Sequence, residues 1–300
     1  MDIVGAFACS HAGLIVTRAD LAPAESKASL FGAFRRMGDE VLRLKPDAVV
    51  MIGTDHGRIF DLTHVPQFTI GVNTVARSIG DAELPVEDVA IHDTFARSIL
   101  NGLLEADVDV AYSEAMKIDH SFISPLTLAF GDARPKIVPI VQNCNSPPLP
   151  TLRRSYAFGR ALGDAIRGGP DGRVVVIGTG GLSHWVGSER FQKFMREPAG
   201  TRLARKPEYP LELTDTGYVN EKFDRDFMRM IAEGRAQEFV SGWTTDRLFE
   251  AAGNGGQEIR NWLTVAGAVQ DAGAEMLGYG AVAEWLTGTA IARFDIRTAH

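Results

Sequence analysis

Short apolar runs rich in β-branched residues recur along the chain: IVGAFAC at 3–9, AVVMIG at 48–53, FTIGV at 68–72, VDVAY at 108–112, KIVPIV at 136–141 and RVVVIG at 173–178. Runs of this length without polar alternation predict strands covered on both faces. Between them lie amphipathic helices, at 25–44 and at 86–104. In the second, Val89, Phe95, Ala96, Ile99 and Leu103 recur at helical spacing behind Pro85. Alternating strands and helices imply an α/β fold with a central, mostly parallel sheet flanked by helices. From about Asn220 to about Gly273 the pattern is helical, giving a C-terminal helical region. The stretch 186–220 differs: REPAG, ARKPEYP and TDTG mix charges, prolines and glycines without a period, which predicts a lid or loop. The proline-rich NCNSPPLP at 143–150 need not divide two domains, and a single domain over 1–300 is expected.

Composition narrows the function. With 45% hydrophobic and 23% charged residues the chain reads as a soluble globular protein. A formal charge of -7 argues against nucleic acid as a partner, because a phosphate backbone calls for a clustered basic surface. A small-molecule substrate and a homo-oligomeric assembly are expected instead. The two cysteines, Cys9 and Cys144, lack the spacing of a zinc site or a disulfide scaffold. No apolar run reaches membrane-spanning length, and the opening MDIVGAFACSHAG is too soon interrupted for a signal peptide, so a cytoplasmic protein without a membrane partner is expected.

Seven histidines carry the candidate chemistry. His11, His56 and His184 each follow a predicted strand, and His120 follows AMKID on a loop after the strand at 108–112. In open α/β sheets ligands bind beyond the carboxyl ends of the strands, so these four imidazoles could converge on one site. A single such histidine is more often satisfied by a backbone partner; four alike point to convergence. His64 reads as a polar turn, His92 as part of an amphipathic helix and His300 as a solvated terminus. Two imidazoles and a carboxylate can hold an oxygen-activating metal on one face. In GNGGQEIRNWLTVAGAV at 253–269, Glu258 flanks the inward stripe of Ile259, Trp262, Leu263 and Ala266. Pattern alone leaves open whether it points inward or is an exposed first-turn glutamate favoured by the helix dipole.

Five short motifs, CSHAGL, GTDH, IDHSFISPL, GTGGLSHW and GGQEIRNWL, stand in this order along nearly the whole chain. In this it resembles the class III extradiol ring-cleaving dioxygenases. The resemblance implies one catalytic domain, an Fe(II) cofactor and a catecholic substrate cleaved with O2 beside its two hydroxyls. It further implies His11, His56 and Glu258 as metal ligands, His184 as the base that deprotonates substrate and His120 as the proton donor, with Asp119 placed to tune His120. The glycine-rich turn before His184 is then expected to bring the sheet backbone close to an aromatic substrate. It lacks the lysine of a P-loop and the full dinucleotide fingerprint. Trp185 departs from the glutamine expected there, which bears on the ring substituent. Arg196, Arg202, Arg205, Lys206 and Arg260 are candidate partners for a carboxylated side chain. None of the five tyrosines joins a strand-end histidine, which favours ferrous over ferric ring cleavage. The alternatives are a hydrolase built on Ser183 and His184 or Ser121 and His120, although neither serine lies in a G-x-S-x-G elbow, and a non-catalytic metal-binding or interaction protein of the same fold.

Overall fold

The unbroken apolar runs become the middle of one sheet. In the computed structural model, which describes residues 1–205 and 218–296, the strands are β1 (Asp2–Cys9), β2 (Ala48–Thr54), β3 (Phe68–Gly71), β4 (Val75–Ser78), β5 (Asp88–Ala90), β6 (Ala111–Ser113), β7 (Lys117–Ile118), β8 (Ile137–Gln142), β9 (Arg173–Thr179), β10 (Ala274–Val282) and β11 (Thr287–Phe294). Eight of them form a sheet in the order β10-β11-β1-β9-β2-β8-β3-β6, and β5-β4-β7 form a small second sheet. β1, β9, β2 and β8 run parallel, as do β3 and β6. The joins β1–β11, β10–β11 and β3–β8 are antiparallel. Every residue of β2 and β8 is buried, as parallel strands with helices on both faces require.

The helices are α1 (Leu14–Thr17), α2 (Ala24–Arg43), α3 (Asp93–Glu105), α4 (His120–Phe130), α5 (Leu152–Arg167), α6 (Glu189–Met195), α7 (Arg202–Arg205), α8 (Glu221–Ala232), α9 (Ala236–Gly242), α10 (Thr245–Ala252) and α11 (Ile259–Ala268). Strand register assigns two of them to faces. Ile52 of β2 pairs with Gly178 of β9, so both point to one side while Gly53 points to the other. A Cβ on Gly178 would meet the α11 backbone at Asn261 O, 2.5 Å away, whereas one on Gly53 would meet Phe122 of α4 at 2.6 Å. α4 and α11 therefore cover opposite faces. α2 packs beside α4, and α5 packs beside α11.

The structure moves several expected boundaries. The helix foreseen at 86–104 begins at Asp93, and Pro85 does not start it. Val89 belongs to β5, where burial alternates with a period of two. His92 is the N-cap of α3 and not a residue within it, accepting from Phe95 N at 3.4 Å. The strand foreseen at 108–112 starts at Ala111, because Val108 N still bonds Leu103 O at 3.0 Å to close the end of α3. The described part of 186–220 is not plain loop: α6 and α7 lie in it, and Ser188 caps α6 by accepting from Phe191 N, while 206–217 lie outside the described residues. The C-terminal helical region is α8 to α11, followed by the β10–β11 hairpin, which the sequence pattern did not suggest. Lys206 and His300 lie outside the described residues.

Candidate metal centre

β1, β9 and β2 are neighbours, and three of the four strand-end histidines leave their carboxyl ends. His11 stands two residues beyond β1, His56 two beyond β2 and His184 five beyond β9. Glu258 closes a 3₁₀ turn, Gly255–Glu258, that leads into α11, and it points inward and is buried. His120 is not on a loop. It is the first residue of α4, whose N-cap Asp119 accepts from Ser121 N at 2.9 Å.

These residues meet. Glu258 spans two imidazoles, with Oε2 3.0 Å from His11 Nε2 and Oε1 3.0 Å from His56 Nε2. Oε2 also accepts from Gly181 N at 2.8 Å and lies 4.0 Å from His184 Nε2. The His120 ring lies 3.9 Å from the His56 ring and 5.7 Å from that of His11, centroid to centroid. Ligand nitrogens of His11, His56 and His120 all fall within 4.8 Å of one another, and a second group of the same kind joins Asp81, Asp119 and His120.

The outer partners decide which ring atoms face the carboxylate. Thr179 Oγ1 spends its one proton on Ser121 O, 2.8 Å away, so it can only accept from His11 Nδ1 at 3.1 Å. That fixes the His11 proton on Nδ1. Burial lowers the pKa of this imidazole, against the opposing pull of Glu258, so the neutral form is favoured. Its Nε2 then turns a lone pair toward a carboxylate oxygen, and among the described residues it has no hydrogen-bond partner. Two electron-rich atoms 3.0 Å apart repel unless a cation lies between them. His56 donates from Nδ1 to Asp119 Oδ2 at 2.9 Å, a carboxylate–histidine pairing typical of metal ligands. Burial would lower the His56 pKa, but Asp119 and Glu258 outweigh it and hold it well above the ordinary value. Burial would likewise raise Glu258, yet it is held well below the carboxylate range, with the hydrogen bond from His56 among the causes. Asp119 is held low in the same way by His56 and His120.

His184 differs in kind. Its Nδ1 donates to Leu182 O at 2.8 Å, leaving Nε2 as a lone pair on the cluster side. Burial lowers its pKa, with Glu258 pulling the other way. The glycines around it bring chain segments of the protein together. A Cβ on Gly180 would lie 2.5 Å from Glu258 O, and one on Gly255 would strike His184 Nε2 at 2.0 Å.

Other expectations need correction. Asp119 hydrogen-bonds His56 and Ser121 and reaches His120 through its field alone; the hydrogen-bond partner of His120 is Asp81, which binds both its Nδ1 and, at 2.9 Å, its backbone N–H. Asp81 sits 39 positions upstream, and nothing in the local pattern linked the two. The hydrolase reading loses its nucleophiles. Ser121 Oγ donates to Thr54 O at 2.9 Å, and buried Ser183 Oγ accepts from Asn220 N at 2.8 Å. Asp224, also unforeseen, accepts from Ser183 N at 2.8 Å and from Tyr279 at 3.0 Å; burial pushes its carboxyl up to about 6. Trp185 turns toward Tyr218, with rings 4.9 Å apart. Of the candidate cations, Arg260 is buried on Pro150 O, Gln257 and Thr245. Arg196 lies over the Phe249 ring and Arg205 pairs with Glu197.

A mostly parallel α/β sheet whose carboxyl edge gathers histidines and carboxylates close enough to share a metal ion has the make-up of a metal-dependent enzyme. A sequence model of the catalytic LigB subunit of aromatic ring-opening dioxygenase matches residues 5–294, and the chain belongs to that family, whose members are metal-dependent. It is an extradiol ring-cleaving dioxygenase, an oxidoreductase acting on a catechol-type substrate with O2. Among its relatives is a 2,3-dihydroxyphenylpropionate/2,3-dihydroxicinnamic acid 1,2-dioxygenase of Mycolicibacterium vanbaalenii, 32% identical over 292 residues, covering 89% of each chain. Enzymes of the same description from Rhodococcus globerulus and Cupriavidus necator are 27% and 30% identical, covering 92% and 84% of this chain and 93% and 86% of their own. The crystal structure of an uncharacterized Escherichia coli K12 protein shares the fold, with a TM-score of 0.59 at 14% identity over 97% of this chain and 99% of its own.

Proposed function

We propose that the protein opens a catechol ring beside its two hydroxyls using iron(II) held by His11, His56 and Glu258, with His184 as base and His120 as acid. The observation that supports this most is the His11 Nε2 lone pair facing the Glu258 carboxylate at 3.0 Å, a gap that suits a cation. Two imidazoles and one carboxylate on one face leave positions open for further ligands. Iron(II) held by His11, His56 and Glu258 would supply the redox chemistry that joins the catechol to dioxygen.

The protein's own groups do the rest. His184, neutral and with its Nε2 lone pair on the cluster side, accepts a catechol proton. His120, held through Nδ1 by Asp81, has Nε2 left to deliver a proton later in the cycle. Asp119 fixes the His56 ring and its tautomer, so that Nε2 faces inward. The whole is one catalytic domain working in the cytoplasm, where its two buried thiols stay reduced. The relatives' printed substrate, 2,3-dihydroxyphenylpropionate, is a catechol with a carboxylate-ended chain, and a substrate of that class is our reading here too.

The test is to load the protein anaerobically with Fe(II), add a panel of substituted catechols and admit oxygen. A yellow ring-opened semialdehyde or keto-acid product is expected, with activity lost on ferrous oxidation and restored by reductant plus Fe(II). A dicarboxylic muconate, or full activity in metal-free protein, contradicts the proposal.

A further inference from the structure

A buried arginine, two of whose guanidinium nitrogens have no hydrogen-bond partner among the described residues, lies outside the metal centre. Arg202, first residue of α7, is 4% exposed, and among the described residues nothing accepts from its Nε or Nη1. Glu197, whose field reaches it, is bonded to Arg205 at 2.6 Å instead. A guanidinium stripped of water and left unpaired is costly, and such a group is kept where an anion arrives to complete it.

Arg202 lines a cavity of about 310 Å³ whose other walls include Leu62, Val65, Pro147, Pro148 and Leu203. Two walls stand at the carboxyl edge of the sheet, 146–148 just after β8 and 62–67 in the segment between His56 and β3, and 199–203 closes over them from the α6–α7 connection and the start of α7. Asn145 ties two of these walls together by donating to Asp55 O, beside His56, at 3.4 Å. β9, β2 and β8 are consecutive in the sheet, and β9 and β2 also carry the metal centre. The cavity therefore lies on the same edge of the sheet as the candidate ring site. Apolar walls with one fixed charge suit a short hydrocarbon chain ending in an anion, and the planar fork of arginine matches a carboxylate with two parallel hydrogen bonds.

We infer that this cavity receives the carboxylate-ended substituent of the catechol and that Arg202 pairs with that carboxylate. The inference rests on the ring-cleavage reading above and adds the group that selects among catechols. Arg202 thereby favours anionic substituents over uncharged ones, while the chemistry at the ring stays with the histidines.

The experiment compares the Fe(II)-loaded parent with Arg202→Met and Arg202→Lys on 2,3-dihydroxyphenylpropionate and on an uncharged alkyl catechol. The ratio of kcat/KM for the two substrates should fall about 10²-fold in Arg202→Met, through KM and not kcat, and recover in part in Arg202→Lys. Binding of 3-phenylpropionate, which has the carboxylate but no hydroxyls, is measured by calorimetry on iron-free protein and should weaken alongside. The free Arg202→Met protein should melt close to the parent, since among the described residues the guanidinium nitrogens Nε and Nη1 make no hydrogen bond and Glu197 supports the charge only through its field. An unchanged substrate ratio with unchanged phenylpropionate binding, in an enzyme that still cleaves catechols, overturns the inference alone. If the parent cleaves no catechol at all, the ring-cleavage reading falls first and takes this inference with it.

Discussion

Two ionic clusters stand in different parts of this molecule, and at similar distances they do opposite things. On the surface, Arg36 bonds Glu40 and Glu275 at 3.0 and 2.9 Å, and Arg293 bonds Glu275 and Glu40 at 2.6 and 3.2 Å, joining α2 to the β10–β11 hairpin. Each charge there meets its opposite, and water and salt screen the rest. At the carboxyl edge of the sheet, His11–Glu258, Glu258–His56 and His56–Asp119 form a chain of contacts at 2.9–3.0 Å, with His11, Glu258 and Asp119 buried and His56 partly so. Here the positive partners are imidazoles that carry charge only when protonated, and one of them, His11, is driven neutral by burial. Desolvating each ion costs several kcal/mol, so the buried cluster is a poor device for stability. It is a good device for holding a cation, and the outer bonds to Thr179 and Asp119 aim its nitrogens inward.

Substitutions can break or sharpen this contrast. The largest effect is expected for Glu258→Ala, which removes the carboxylate both imidazoles face. Iron content should fall to trace and turnover to background while circular dichroism keeps the parent spectrum; retained stoichiometric iron would place the ligands elsewhere. Next comes His184→Ala, expected to keep iron and lose about 10²- to 10⁴-fold in turnover. The same imidazole gives a pH dependence. Its pKa is lowered below 6.5, so its neutral form persists at pH 7 and kcat/KM should fall only as pH drops below 6.5. A profile that instead declines from pH 8 downward would remove His184 as the base. Asp119→Asn should weaken iron binding by about 10- to 100-fold, because the amide positions His56 without the negative charge; a chelator-competition titration reads this directly. The smallest effect belongs to the surface. Arg293→Ala should leave both turnover and melting temperature at the parent values in ordinary salt, and a clear loss of either would mean that the exposed network does more than its exposure allows.

The sequence revealed the site more readily than its supports, for a physical reason. Strand-end histidines are legible because a buried parallel strand is an unbroken apolar run and the histidine follows within a few residues, as in VVMIGTDH or CSH. Glu258 remained ambiguous by pattern, since a glutamate in the first turn of a helix suits both a dipole and an interior, and only the approach of Gly180 and Gly181 to it resolves the choice. The pairings of Asp81 with His120 and of Asp119 with His56 span 39 and 63 residues, and no local periodicity encodes a cross-chain hydrogen bond. The misplaced start of α3 has a local cause: Val89 falls on the helical stripe but pairs as a strand, where tertiary contacts outweigh propensity. β10 escaped notice because most of it is only half-buried and glycines interrupt its alternation.

The central claim is that the buried cluster is a metal site built from two histidines and one carboxylate. Crystals of the Fe(II)-loaded protein, grown anaerobically, test it through the anomalous difference map collected at the iron edge. The account predicts one strong peak within bonding distance of His11 Nε2, His56 Nε2 and a Glu258 carboxylate oxygen, with His120 and His184 outside that shell. A peak bonded to His120 as a third imidazole, or seated between Asp81 and Asp119, would contradict it.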